Sequence, residues 1–160
     1  PAHAAYRSLT PGQRIGQLFM VGVRSKGPSA AKLERLQRLD VGSVILDGNS
    51  SLGRAAVSST TSTIDAVLTR AGVAPFIATD QEGGAVQRLT GPGFSRIPSA
   101  LQQGRWSEPM LRRYASAWSQ QLAAAGANLN LAPVADTVPA KHAHANQPIA
   151  RYDRECGHST

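Results

Sequence analysis

The chain has 160 residues, 41% hydrophobic and 17% charged, with 15 Gly and 10 Pro, which suits one ordinary domain with a sizeable core and argues against disorder or a second domain. Its net charge of +7 comes from 17 basic and 10 acidic residues, but the arginines, such as Arg14, Arg35, Arg54, Arg88 and Arg151, are spread without runs or interleaved aromatics, so the footprint of a nucleic-acid binder is missing. A single cysteine, Cys156, excludes an intrachain disulfide, and no stretch approaches the ~18 apolar residues that cross a bilayer.

Along the chain, Thr10 followed by Pro11 marks a helix start, and the apolar run Phe19–Val23 beyond it suits a buried strand. Pro28–Asp40 reads as an amphipathic helix with Ala31, Leu33, Leu36 and Leu39 on one stripe. Val41–Leu46 has the length and β-branched content of a second strand, closed by the turn signal Asp47-Gly48-Asn49. A helix over about Arg54–Ala71, striped by Ile64, Val67 and Leu68, leads to a third strand over Pro75–Thr79. After a Gly/Pro-rich connection from Thr90 to Pro98, a long helix is expected over about Glu108–Ala125 from a Ser107 cap, then a fourth strand over Asn128–Val134. From Ala135 to Thr160 no period is sustained.

Short apolar strands alternating with helices indicate a parallel sheet covered by helices. An open doubly wound sheet and a closed (β/α)8 barrel both fit, and both carry functional groups beyond the carboxyl ends of strands. A complete barrel takes about 250 residues, so four strands would form roughly its first half. The absence of G-x-G-x-x-G or a P-loop disfavours a phosphate-binding doubly wound domain.

The densest polar cluster follows the third strand: Asp80-Gln81-Glu82-Gly83-Gly84-Ala85-Val86-Gln87-Arg88. Two carboxylates, amides and an arginine beside a glycine pair make a plausible polyhydroxy site, the carboxylates accepting from sugar hydroxyls and Arg88 donating. The same residues also suit a capped turn, with Asp80 bonding backbone amides and Arg88 paired to a carboxylate. Two carboxyl groups also serve as acid and base in glycosidases, but sequence spacing does not establish the separation this needs.

The string from Ala78 to Leu89 closely resembles the DQEGGRVQRL segment of glycoside hydrolase family 3 in its β-N-acetylglucosaminidase branch. Supporting matches run through Ile15–Gly22 and Gly126–Asp136. The resemblance implies a parallel (β/α)8 TIM-type barrel, here about its first half, with residues 1–160 the N-terminal portion of one barrel domain. Asp80 would bind a hydroxyl of N-acetylglucosamine, with Arg88 supporting that pocket. Pro148–Gly157 looks like the loop that contributes a sugar-binding arginine, aligned with Arg154, and Glu82 and Asp136 complete the candidate set. Ala85 replaces a frequent arginine, Ala150 a usual glycine, and Cys156 a usual aromatic residue.

The activity implied is retaining hydrolysis of terminal β-linked N-acetylglucosamine, from glycans or peptidoglycan fragments, through a covalent intermediate. No metal or organic cofactor is implied. In the family the acid/base is a histidine in a lysine-histidine-rich loop beyond the fourth strand, and the nucleophile is an aspartate further on; neither motif is recognisable here. His142 and His144 read as exposed loop residues, and Trp106 and Trp118 as packing residues. The chain alone is therefore expected to be inactive, and self-association or complementation by the other barrel half is expected of its unpaired edges. A non-catalytic carbohydrate-binding or regulatory module of the same fold is the alternative. Because the chain opens with Pro1 rather than Met, export with cell-envelope association is the expected compartment, and cytoplasmic residence the alternative.

Overall fold

The computed structural model describes residues 2–159. A short helix that no periodicity announced, α1 (Ala2–Ser8), precedes α2 (Pro11–Gly16). Helix α2 starts at the expected cap: the Gln13 amide N–H donates to the Thr10 hydroxyl at 3.2 Å while the Gln13 side chain accepts from the Thr10 N–H at 3.0 Å. This reciprocal pair satisfies two donors that a helix start otherwise leaves unpaired.

The chain then alternates through β1 (Met20–Arg24), α3 (Ala30–Arg38), β2 (Ser43–Asp47), α4 (Arg54–Leu68) and β3 (Phe76–Thr79). An excursion follows, made of a small hairpin β4 (Gln81–Gly83) and β5 (Val86–Gln87) and one turn of helix α5 (Ala100–Gln103). The regular alternation resumes with α6 (Glu108–Ala124) and β6 (Leu129–Asn130). Two 3₁₀ turns, at Ala140–Ala145 and Ala150–Tyr152, are the only regular structure among the remaining described residues.

Strands β1, β2, β3 and β6 form one parallel sheet in that spatial order. A doubly wound sheet reverses its strand order at a switch point. Four parallel strands joined to successive neighbours through helices have no such reversal, and this decides between the two expected architectures: the sheet is half of a (β/α)8 barrel.

Register separates the two faces of this sheet. Val21 pairs with Val44 and Val44 with Ile77, while Val23 pairs with Leu46. These residues pack with Leu36, Val57, Ile64, Leu68 and Leu122 into one core between strands and helices. Side chains alternate across a strand, so the other face carries Met20, Ile45, Phe76 and Leu129. There the packing is incomplete: Phe76 is 58% exposed, Met20 39%, and Leu131 just past β6 45%. In a closed barrel that face is the packed interior.

Two expected elements differ from those observed. Leu39 is exposed because it is the C-cap of α3, where the backbone has left helical geometry, so Leu36 alone on this helix is fully buried. The fourth strand is much shorter than Asn128–Val134. Pro133 has no N–H for a ladder, and side-chain amides take over some of the edge bonding: Asn128 accepts from the Ile77 N–H at 2.7 Å and donates to the Pro75 carbonyl at 2.9 Å.

The end of α6 is tied to α4 through Thr61, which is 2% exposed and donates to the Ala125 carbonyl at 2.7 Å. The next residue, Gly126, has φ +77°, and a Cβ there would collide with the Thr61 hydroxyl. Gly126→Ala is expected to cost about 1–3 kcal/mol through strain and displacement of that bond. A urea titration with a lowered midpoint at unchanged slope checks this; an unchanged midpoint contradicts it.

Candidate functional site

Asp80 is the first residue past β3, at the carboxyl end of the sheet, where barrel proteins carry their sites. Its neighbour Gln81 is buried and its side chain acts as a two-way staple. The amide nitrogen donates to the Leu89 carbonyl at 2.8 Å, and its oxygen accepts from the Leu89 N–H at 3.0 Å. From the other side Asn130 accepts from the Gln81 N–H at 3.0 Å and donates to the Gln81 carbonyl at 3.3 Å. The backbone on which Asp80 sits is thus held between β6 and the returning segment after β5.

That returning segment reaches the loop beyond β2. The Ser50 N–H donates to the Arg88 carbonyl and the Thr90 N–H to the Ser50 carbonyl, both at 2.8 Å. Arg88 Nη1 donates to Asn49 Oδ1 at 3.2 Å. The capped-turn reading expected a carboxylate partner for Arg88 and backbone amides on Asp80. Neither is observed: Arg88 holds an amide oxygen, and the half-buried Asp80 carboxylate accepts no hydrogen bond among the described residues.

The segment from Ala140 to Gly157 closes the site on the β6 side. The Cys156 N–H donates to the Asp136 carbonyl at 3.3 Å, the Val138 N–H to the Gly157 carbonyl at 3.1 Å, and the Leu101 N–H to the Asp153 carbonyl at 3.2 Å. Thus anchored, the loop delivers Arg154 onto β4. Arg154 Nε donates to Glu82 Oε2 at 2.9 Å and Nη2 to Oε1 at 2.8 Å, while Nη1 donates to the Pro148 carbonyl at 2.9 Å. Glu82 is 8% exposed, and both of its oxygens face this one guanidinium.

The guanidinium pKa is raised above its ordinary value, chiefly by the hydrogen-bonded Glu82 and, more weakly, by the charges of Asp80 and Asp136; burial opposes them. Asp136 itself is exposed on the loop after β6. The five residues singled out from sequence therefore fall into two groups. Arg88 stands on the β2 side, held by Asn49, whereas Glu82, Arg154, Asp80 and Asp136 share one electrostatic neighbourhood on the β3 and β6 side.

Residues outside this set also find definite places. His142 and His144 are exposed on the first 3₁₀ turn, and among the described residues no three His, Cys, Asp or Glu side chains converge as metal ligands would. Trp106 and Trp118 pack with Tyr114, the ring centroids lying 5.1 to 6.1 Å apart. Trp118 also lines a mainly apolar cavity of about 370 Å³ with Leu111, Leu122, Val134 and Cys156, behind Glu82. The amides Asn49, Gln103 and Asn130 were missed as site supports. Asn49 and Asn130 lie at strand ends, which hinted at that role, whereas Gln103 on α5 carried no such signal.

A parallel α/β half-barrel that gathers carboxylates and guanidinium groups beyond its strand ends has the architecture of a barrel enzyme's binding face. The profile of the Glycosyl hydrolase family 3 N terminal domain matches residues 11–148. The chain belongs to that family of glycoside hydrolases. It is 44% identical to the crystal structure of a β-N-acetylhexosaminidase from Beutenbergia cavernae DSM 12333, with a TM-score of 0.89 over 93% of this chain and 45% of that one. A glycoside hydrolase family 3 β-N-acetylglucosaminidase from Paenibacillus sp. str. FPU-7 is 27% identical, with a TM-score of 0.69 over 81% of this chain and 25% of that one. Beta-hexosaminidase A from Pseudoalteromonas piscicida is 28% identical over 92% of this chain and 28% of its own length. The chain thus spans less than half the length of each of these relatives.

Gln81→Met keeps the side-chain volume and removes the staple, leaving the buried Leu89 N–H unpaired and its carbonyl with only the longer bond from Gln87 Nε2 at 3.3 Å. A loss of about 1–3 kcal/mol is expected, with faster amide hydrogen exchange at Leu89. Unchanged stability together with unchanged Leu89 exchange would show that the staple contributes nothing.

Proposed function

We propose that this chain forms the N-acetylglucosamine-binding half of a family 3 β-N-acetylglucosaminidase barrel. The observation that carries the reading is the Asp80 carboxylate at the end of β3, which has no hydrogen-bond partner among the described residues and is close enough to Arg154 for its charge to act on that guanidinium, in a chain 44% identical to a β-N-acetylhexosaminidase. A carboxylate with free lone pairs accepts from vicinal sugar hydroxyls, and a neighbouring guanidinium with spare N–H groups donates to them.

The chemistry follows from the family assignment. A retaining enzyme needs a nucleophile to form a glycosyl-enzyme intermediate and an acid/base to protonate the leaving oxygen and then activate water. In this reading both groups come from polypeptide outside residues 1–160, and Asp80, Arg88, Arg154 and Asp136 bind and orient the sugar. The apolar concave face and the unpaired outer edges of β1 and β6 would be covered by the second barrel half or, without it, by another copy of the chain. Export and a place in the cell envelope, acting on peptidoglycan fragments, belong to the same proposal.

The first test is hydrolysis of a fluorogenic β-N-acetylglucosaminide by the 160-residue chain beside its Asp80→Ala and Glu82→Ala variants. No turnover is expected, and a polypeptide bearing the other half of the relative's barrel should restore it. Turnover by the chain alone that Asp80→Ala abolishes would place catalytic groups within this segment. Saturable N-acetylglucosamine binding with no turnover under any complementation would identify a non-catalytic module instead. In sedimentation the apparent mass should rise with protein concentration; a monomer with one cooperative unfolding transition at low and high concentration would contradict the exposed-edge argument.

A further inference from the structure

Glu82 stands in the same sequence cluster as Asp80, but its surroundings give it different work. Its side chain is 5% exposed, and each oxygen already accepts from the fork edge of Arg154, at 2.9 and 2.8 Å. Its backbone is fixed as well: Gln103 Nε2 donates to both the Glu82 carbonyl at 2.9 Å and the Pro98 carbonyl at 2.8 Å. Gly83, with φ +104°, then turns the chain where a Cβ would collide with the Pro98 carbonyl. Glu82 is therefore a rigid mount, with little surface left for a ligand.

Arg154 is correspondingly oriented. A guanidinium has five N–H groups in one plane, and those on Nε, Nη1 and Nη2 that bond Glu82 and Pro148 fix that plane. One further N–H on each terminal nitrogen remains, on a side chain that is 26% exposed. Two other carboxylates, Asp80 and Asp136, act on the same cation, and neither has a hydrogen-bonding side-chain partner among the described residues. An arginine released from Glu82 would be drawn to one of them, and an Asp80 paired in this way would lose lone pairs meant for a hydroxyl.

We propose that Glu82 is a positioning residue of the sugar site: by holding Arg154 in a bidentate fork it aims the guanidinium and keeps the Asp80 carboxylate free, without touching the sugar itself. This role rests on the reading of Asp80 and Arg154 as sugar-binding groups. The fork matters because a single bond to Glu82 would leave the Pro148 carbonyl as the only other hold on the guanidinium plane. The mount also couples the site to its loop, since Arg154 lies 72 residues from Glu82 in sequence and reaches it only while residues 140–157 are docked.

The test follows the Arg154 Nε–H resonance by NMR in the 160-residue chain, with N-acetylglucosamine itself as the probe. In the unaltered chain the resonance should be protected from exchange and should move as sugar is added. Glu82→Gln offers one acceptor and turns a donor toward the cation. It should abolish the protection and weaken sugar binding roughly tenfold, about the value of one charge-assisted hydrogen bond. Asp80→Ala should weaken binding while leaving the protected resonance in place, a separation that a merely structural Glu82 would not produce. Should Glu82→Gln fail to fold, Glu82→Asp, which keeps the charge but withdraws it by one methylene, supplies the same comparison. Loss of protection with unchanged affinity overturns the positioning role and leaves the sugar site standing. Failure of N-acetylglucosamine to shift any resonance of the unaltered chain overturns the sugar site, and the positioning role with it.

Discussion

The site depends on how irregular backbone at the strand ends satisfies its hydrogen bonds. Past β3 the chain leaves the sheet, turns through a hairpin, and returns to the loop beyond β2. Such a path strands buried N–H and C=O groups, each expensive if left unpaired. Side-chain amides answer that demand. Gln81 pairs with both backbone groups of Leu89, and Asn130 with both of Gln81. Gln87 accepts from the Ile97 N–H and donates to the Ser95 carbonyl, and Gln103 bridges the Glu82 and Pro98 carbonyls. Each amide carries a donor and an acceptor at the spacing of a peptide group, so it extends a ladder where strand geometry has ended.

On that frame the charges sort into paired and unpaired. Glu82 is buried and fully engaged by Arg154, whereas Asp80, two residues earlier and on the opposite side of Gln81, is half-buried and open. Burying a carboxylate is tolerable only with a close partner, and the loop from Ala140 to Gly157 exists in a docked form that provides one. Its docking uses backbone bonds from Cys156 and Val138 as well as the ion pair, so the loop and the charge arrangement support each other.

The two faces of the sheet show how much of the architecture is satisfied within these residues. The helix-facing set, Val21, Val23, Val44, Leu46 and Ile77, closes into a core with α3, α4 and α6. The concave set leaves Met20 and Phe76 in solvent. Among the described residues this face keeps its apolar side chains exposed, and β1 and β6 are the end strands of the sheet.

The sequence by itself determined the element types and their alternation, because strand and helix periods, the Thr10-Pro11 cap and the turn residues act within a few positions. Through the string from Asp80 to Leu89 it also determined the family and the neighbourhood of the site. Periodicity left open whether the sheet was a barrel, since strand order is a relation between segments far apart, and it was the family resemblance that implied one. It also undershot the excursion after β3, where the two-residue strands and one-turn helix are too short to carry a period. The tertiary structure alone decided which carboxylate is free and which is paired. Asp80 and Glu82 look equivalent as a spacing, and they become different only when an arginine 72 positions away arrives at one of them. The reason is that proton affinity, desolvation and hydrogen-bond occupancy depend on the three-dimensional surroundings of a group, and residue order supplies those surroundings only through the fold.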